Sequence, residues 1–147
     1  MMSMSPIKNL DYYEELAKED YYTKGGEPLG VWYGKGAVLM GLSGEVEKAD
    51  YKNVMRGFSP RNEALCQNSG ANHRAGFDLC FSPPKSVSVL WARADSQLKK
   101  KIQKAQFKAV CSAIDHLQKH AAITRRLKNG TSREQVIGLV AATYEHS

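Results

Sequence analysis

Cysteines and long apolar runs are scarce in this sequence of 147 residues. The three cysteines, Cys66, Cys80 and Cys111, are odd in number and widely spaced, which argues against a disulfide framework and predicts reduced thiols. No apolar run approaches the roughly 18 residues that a membrane-spanning helix requires, and no signal peptide is visible behind Met1. From these absences we expect a single cytoplasmic domain.

Acidic side chains are outnumbered by basic ones, 15 against 21, which gives a formal net charge of +6. This excess favours a polyanionic partner such as DNA. Two segments concentrate the positive charge, a predicted helix and a predicted turn: Lys99, Lys100, Lys101, Lys104 and Lys108 in the first, Arg125, Arg126, Lys128 and Arg133 in the second. For the lysine helix, a solvated face that keeps the protein soluble is an equally good interpretation.

Tyrosine is concentrated near the start of the chain, where the doublets Tyr12-Tyr13 and Tyr21-Tyr22 place four of the seven tyrosines within eleven residues. A phenol can attack a phosphodiester and stay joined to the 5′ phosphate, and two such nucleophiles can perform two successive transesterifications. The alternative is aromatic packing, because tyrosine commonly buries its ring and leaves its hydroxyl in water.

Three further segments accompany the doublets: 34–46, with the pattern Gly-Lys-Gly-Ala and Gly-Leu-Ser-Gly-Glu-Val; 76–88, with Asp78-Leu-Cys-Phe-Ser-Pro-Pro-Lys-Ser-Val-Ser; and 138–147, from Gly138 to Ser147. In order and approximate spacing these segments resemble the start of the relaxase domain of the TrwC/TraI type, from conjugative plasmids and related mobile elements. The resemblance spans essentially the whole chain. Its specific part is the combination of the 76–88 pattern with paired tyrosines.

The resemblance implies a nucleophile and a supporting carboxylate. Enzymes of this family cut one DNA strand at an origin of transfer, hold the 5′ end on a tyrosine and leave a free 3′ hydroxyl. Tyr12 matches the initial nucleophile and Tyr21 the tyrosine used in a later strand transfer, with Tyr13 and Tyr22 as supporting candidates. Asp78 matches a carboxylate near the active site, where it orients an imidazole or accepts the phenol proton.

The family also holds a divalent metal, Mg or Mn, on three histidines, and His146 matches the first. The other two form a His-x-His pair further along in the family, whereas only Ser147 follows His146 here. A single imidazole does not hold such an ion against water. We therefore expect residues 1–147 to be the N-terminal portion of a relaxase domain that ends before the His-x-His motif and does not hold the metal alone. His116 and His120, four apart on a predicted helix, are interpreted as ordinary surface histidines.

The partner implied by the resemblance is single-stranded DNA at a hairpin-bearing origin of transfer, with accessory proteins of a transfer complex as further candidates. Arg74, Lys85, Arg125 and Arg126 are the predicted DNA-binding residues. Exposed rings often stack on the bases of a single strand. The aromatic candidates for that role are Trp32, Tyr33, Phe58 and Trp91, although packing is the favoured role for each.

Capping residues, glycines and periodicity predict an α+β fold, an antiparallel sheet with helices packed on it, which agrees with the palm-like sheet of the family and is expected to be incomplete. The lysine-rich helix should bury one stripe: Leu98, Ile102, Ala105, Ala109, Ala113 and Leu117. The predicted elements are strands over 1–7, 76–82 and 136–144, helices over 11–18, 35–40, 47–56 and 95–120, a loop over 58–75 and a two-residue hairpin turn at 129–130. Ser82-Pro83-Pro84-Lys85 can cap and open a further helix, which is the favoured interpretation, although Val87, Val89 and Trp91 alternate as in a strand.

Two other functions remain open. One is a noncatalytic single-stranded DNA-binding module or remnant, in which the tyrosines only pack or stack. The other is a replication initiator with related tyrosine chemistry, which the glycine-rich and Pro-Lys-Ser segments favour less than a relaxase.

Overall fold

The computed structural model describes residues 1–8, 29–126, 132–136 and 138–145, and for 124–126 and 132–135 it describes the backbone alone. Within these ranges no helix is both long enough and apolar enough to cross a membrane. The elements in chain order are β1 (Met2–Pro6), β2 (Val31–Tyr33), α1 (Lys35–Leu39), α2 (Lys48–Met55), β3 (Phe77–Phe81), α3 (Lys85–Arg93), α4 (Ser96–His120), β4 (Ile123–Arg126), β5 (Ser132–Gln135) and β6 (Ala141–Thr143).

The predicted α+β class is confirmed. The described strands form three two-stranded antiparallel sheets, β1 with β3, β2 with β6 and β4 with β5. Helices α1 and α2 end where predicted, because Gly41 and Gly57 follow them with φ values of 73° and 83°, a left-handed conformation that glycine adopts without steric cost. The predicted helix over 11–18 lies outside the described residues.

The β1–β3 pair has one apolar and one polar face. Directly opposed residues share a face, so Met4 and Leu79 lie on one side while Ser5 and Asp78 lie on the other. The predicted alternation of apolar and polar side chains along β3 is therefore correct, but the burial of these side chains does not follow that alternation. Phe77 is 64% exposed whereas Asp78 is half-buried, because the described part of the chain leaves much of the apolar side of this sheet uncovered.

The main core lies around β2, α1 and α2. Trp32, Ala37, Leu42 and Tyr51 are buried together, and Tyr144 packs against them edge-on, with its ring centroid 6.5 Å from that of Tyr51. The amide of Trp32 donates to the carbonyl of Gly44 at 2.9 Å, which holds the segment after α1 beside β2. This core joins the β2–β6 sheet to α1 and α2.

Helix α4 begins as predicted, because the Asp95 carboxylate accepts a hydrogen bond from the Leu98 amide at 2.7 Å and so caps the first turn. Its buried stripe, however, is only partly as predicted. Leu98, Ile102, Ala113 and Leu117 are half-buried, but Ala105 and Ala109 are exposed, and the fully buried residues are Ile114 and Gln118. Alanine carries too little apolar area to fix the orientation of a helix, and the Gln118 amide is bonded inside the fold.

Helix α3 confirms the helical interpretation of the segment that follows Pro84, against the alternative of a strand. Its N-cap position is Pro84, and no side chain caps it. Ser82 therefore does not cap this helix. Its amide instead donates to the Met1 carbonyl at 2.9 Å, which continues the pairing of β3 with β1.

One prediction near the end of the chain is wrong in detail. The turn predicted at Asn129-Gly130 lies outside the described residues, and on either side of it the β4–β5 register pairs Arg126 with Ser132. The predicted strand over 136–144 is reduced to β6, which pairs only with β2 among the described strands. The peptide groups of Leu139 bond to α1 and α4, so this part of the run is not available to a sheet.

Alanine variants of two glycines, Gly34 and Gly41, test the close approach of Leu139 to Gly34. At Gly34, φ is 109° and an added Cβ would collide with the carbonyl oxygen of Leu139, whereas at Gly41, φ is 73° and nothing lies within 4 Å. Both alanine variants should be strained, by about 1–3 kcal/mol each. Gly34→Ala should lose roughly 2 kcal/mol more in urea unfolding, because the collision also separates buried hydrogen-bond partners. Equal losses for the two variants would contradict the close approach of Leu139.

Candidate functional site

Some of the residues predicted to act in catalysis or binding lie in the part of the chain that the structure describes, and others lie outside it. Tyr12, Tyr13, Tyr21, Tyr22 and His146 lie outside the described residues, as do the side chains of Arg125 and Arg126, whose backbones belong to β4. Their roles stay predictions. Asp78, Arg74 and Lys85 are described, and all three lie on the continuous segment 74–85.

The Asp78 segment is fixed to the amino end of the chain. Asp78 pairs with Ser5 in the β1–β3 register, and the Ile7 amide donates to the Gly76 carbonyl at 3.0 Å. At the other end, the Met1 ammonium group donates to the Ser82 carbonyl at 2.7 Å. The half-buried Asp78 carboxylate is thus held beside the strand that leads into the tyrosine doublets.

Two basic candidates flank Asp78 along the chain. Arg74 precedes β3 and Lys85 is the first residue of α3, and both side chains are exposed. Exposed cations before and after this strand are available to contact phosphates.

The glycine-rich segment after β2 has a structural role that its sequence did not reveal. Gln118 is 5% exposed, and its Oε1 accepts hydrogen bonds from the Lys35 amide at 2.7 Å and from the Leu139 amide at 3.0 Å. The Gly36 amide donates to the Leu139 carbonyl at 3.0 Å, and a Cβ at Gly138 would lie 2.7 Å from the Gly36 nitrogen. We call these residues, Gly34 to Gly36, Gln118, Gly138 and Leu139, the Gln118 junction.

A polar chain leads from the Gln118 junction to the surface. Gln118 Nε2 donates to Asp115 Oδ1 at 3.0 Å, and the Tyr33 hydroxyl donates to Asp115 Oδ2 at 2.9 Å. The hydrogen bond to the carboxylate is the main reason that the Tyr33 pKa rises to about 12, with burial adding to it. Burial also raises the pKa of the nearby Cys111 thiol.

A cavity of about 300 Å³ opens beside this polar chain. Trp32, Ala37 and Leu42 form its apolar side, and Tyr33 and Asp115 contribute polar groups. Nothing in the sequence pattern predicted the cavity, because it depends on contacts between residues about 80 positions apart.

The described histidines do not form a metal centre. His116 and His120 lie on one face of α4, with ring centroids 4.4 Å apart, and both are exposed. His73 Nδ1 lies 3.4 Å from the Cys66 sulfur. In the described ranges no group of three or more His, Cys, Asp or Glu side chains is placed to hold a metal ion. This part of the chain therefore does not fit a three-histidine metal site.

The aromatic candidates mostly pack against the protein. Trp32 is 6% exposed and belongs to the core, which confirms its predicted packing role. Trp91 is half-buried, and the ammonium group of Lys99 lies 5.6 Å from the centroid of its ring, within the range of a cation–π contact. Phe58 is half-buried in the loop that follows α2.

Comparison with known proteins gives consistent matches. The sequence model of the TrwC relaxase family matches residues 8–147. The multifunctional conjugation protein TraI of Escherichia coli strain K12 is 33% identical over 155 residues, covering 99% of this chain and 8% of TraI. The metal-bound and metal-free structures of the conjugative relaxase TrwC in complex with oriT DNA match with TM-scores of 0.77 and 0.75, both at 28% identity. Each match covers 99% of this chain and 50% of the TrwC chain. The chain thus spans half the length of these solved relaxases and a small part of TraI.

The hydrogen bond between Tyr33 and Asp115 predicts that the Tyr33 phenol loses its proton at a higher pH than an ordinary tyrosine. Because the folded pKa of Tyr33 lies near 12, above the usual 10, the bond should stabilise the fold fully below about pH 10 and lose its contribution as the pH rises toward 12. Asp115→Asn should bring the Tyr33 pKa back toward 10, because a neutral amide no longer disfavours the phenolate. Tyrosine ring NMR shifts, with Tyr33→Phe to assign the signal, measure this. An unchanged late titration in Asp115→Asn would contradict the assignment.

Proposed function

Since this chain belongs to the TrwC relaxase family, we propose that it recognises one DNA strand at an origin of transfer and carries the tyrosines that nick and transfer that strand. The observation that carries the proposal is the pairing of the Asp78 strand with β1, the strand that directly precedes the tyrosine doublets. Tyr12 follows Lys8 by four residues, a length of chain that reaches at most about 14 Å. The covalent chain therefore allows the Tyr12 phenol to approach Asp78, as the proposal requires.

The proposed step is a transesterification. The Tyr12 phenolic oxygen attacks the scissile phosphorus, the bond from phosphorus to the 3′ oxygen breaks, and the 5′ phosphate becomes a phosphotyrosine while the other product keeps a 3′ hydroxyl. Asp78 accepts the phenol proton, and the leaving 3′ oxygen takes up a proton in turn. Tyr21 performs the later strand transfer, and Tyr13 and Tyr22 support the two nucleophiles.

A divalent metal is part of the proposed activity only in a longer polypeptide. TrwC has been solved in metal-bound, copper-bound and metal-free forms with oriT DNA, so its site accepts a metal. When bound, such an ion polarises a phosphoryl oxygen. In this chain His146 is the proposed first ligand, and the described residues supply no set that completes it. We propose that residues 1–147 act as the N-terminal portion of a relaxase domain and need a His-x-His pair from elsewhere.

The proposed DNA contacts are the exposed Arg74 and Lys85, which flank Asp78 along the chain, together with Arg125 and Arg126 at β4. The oriT DNA in the TrwC structures supports origin DNA as the partner class, and its single-stranded form follows from the proposed cleavage of one strand. Basic side chains of this kind contact phosphates and fix the position of the strand.

Covalent adduct formation tests the proposal. The chain of 147 residues, incubated with Mg²⁺ or Mn²⁺ and a labelled single strand that carries its origin, should bind the strand and form only traces of adduct. A longer version that contains a His-x-His pair should form the adduct, visible as a shifted band in a denaturing gel. Tyr12→Phe in that version should abolish it, because the phenolic oxygen is lost. Tyr51→Phe, a tyrosine of the core that does not line the cavity beside Asp115, is the matched control and should keep adduct formation within a factor of about two.

Two outcomes would redirect the proposal. Full adduct formation by the 147-residue chain would contradict the need for further metal ligands. No adduct from the longer version, with strand binding intact, would favour the alternative function, a noncatalytic single-stranded DNA-binding module.

A further inference from the structure

The lysine-rich face of α4 is the feature that the proposed nicking site leaves unexplained. Five lysines occur in the first thirteen residues of this helix, and no Asp or Glu occurs between Ser96 and Ile114. Lys100, Lys101, Lys104 and Lys108 are exposed, while Lys99 is half-buried against Trp91.

Such a charge pattern is unfavourable for an isolated helix. Lys100 and Lys104, like Lys104 and Lys108, are four residues apart, and like charges at that spacing destabilise a helix by about 0.2–0.5 kcal/mol per pair. A face that serves only solubility normally intersperses both signs of charge. The absence of acidic residues from this stretch of sequence therefore favours an external anion as the compensating partner.

Helical geometry aligns the exposed lysines with the acidic end of the polar chain. At about 100° per residue, Lys101, Lys104, Lys108 and Asp115 fall within an arc of about 60°. Buried Ile114 lies about 100° away from this line, which agrees with the exposure of Asp115. The lysines thus form a straight basic stripe along α4, defined as Lys101, Lys104 and Lys108, that leads to the cavity at Asp115.

The cavity at the end of the basic stripe combines an apolar side with a fixed acceptor. Val38, which is 75% exposed, offers apolar surface beside the buried Trp32, Ala37 and Leu42, and the volume is about 300 Å³, at the lower end of the usual range for small-molecule sites. Asp115 accepts one described hydrogen bond on each oxygen, from Tyr33 and Gln118, whereas a carboxylate offers about four acceptor positions. The two bonds fix the orientation of this carboxylate, which lines the cavity.

We propose that a single strand of DNA runs along the basic stripe of α4 and places one amino-bearing base in the cavity, where Asp115 accepts its amino hydrogens. This inference rests on the proposed function and adds to it a subsite and a base preference. Lys35, which also lines the cavity, contributes a further positive charge for the phosphates on either side of the inserted base.

The chemistry of the acceptor selects among the bases. Cytosine, adenine and guanine carry an exocyclic amino group that donates hydrogen bonds, and thymine does not. A carboxylate accepts such hydrogens and repels carbonyl oxygens, so the cavity favours cytosine over thymine among the pyrimidines. The apolar side accepts the flat face of the ring.

The first part of the experiment measures how much the basic stripe contributes to DNA binding. Fluorescence anisotropy with a labelled oligo-dC strand should show that the double variant Lys104→Gln with Lys108→Gln binds about tenfold more weakly at low salt. Its slope of log affinity against log salt should fall by about 1.4, since two phosphate contacts are lost. The matched control, Lys48→Gln with Lys52→Gln on α2, removes the same charge and should change neither value by as much. Equal effects from the two double variants would contradict the binding of DNA along the basic stripe.

The second arm measures the base preference of the cavity. The unmodified chain should bind oligo-dC several-fold more tightly than oligo-dT, and Asp115→Asn should remove or invert that ratio, while the control Asp50→Asn should keep it. An unchanged ratio in Asp115→Asn, or no preference in the unmodified chain, would overturn the subsite. Tyr12-dependent adduct formation is scored separately, so loss of adduct with an intact stripe and base preference would count against the proposed nicking activity alone.

Discussion

One side-chain oxygen holds the described fold together. Gln118 Oε1 accepts hydrogen bonds from two backbone amides, those of Lys35 and Leu139, which are 83 and 21 residues away along the chain. Buried amide groups are costly when unpaired, so both segments depend on this residue. The dependence also explains the glycines: a side chain at position 34 or 138 would keep the segments from approaching each other.

Other features follow from the position of Leu139. Once this residue is fixed, β6 pairs with β2, Tyr144 reaches Tyr51 in the core, and Trp32 is covered. On its other side the Gln118 amide orients Asp115, which in turn holds the Tyr33 hydroxyl and borders the cavity. The strand that leads to His146 and the cavity proposed for a DNA base are thus fixed by the same side chain, whereas Asp78 depends on the separate β1–β3 pair.

Local features of the fold were predictable from sequence, and long-range polar contacts were not. The Asp95 cap and the glycines after α1 and α2 act within one turn of chain, so their residues suffice to predict them. The Gln118 junction and the Tyr33–Asp115 bond join distant residues through polar atoms, which apolar periodicity does not detect. The burial of Gln118 was missed for the same reason, while Ala105 and Ala109 were wrongly placed in the buried stripe of α4. Along the candidate site, Asp78, Arg74 and Lys85 were proposed by family resemblance rather than by pattern.

Native-state hydrogen exchange of the unmodified chain tests the role of Gln118 most directly. If the junction holds the fold, the amides of Lys35 and Leu139 should exchange with the same opening free energy as the Trp32 amide in the core, since all three open together. Exchange of either junction amide at a much lower free energy than Trp32 would show that the two segments separate while the core persists, and would contradict the account.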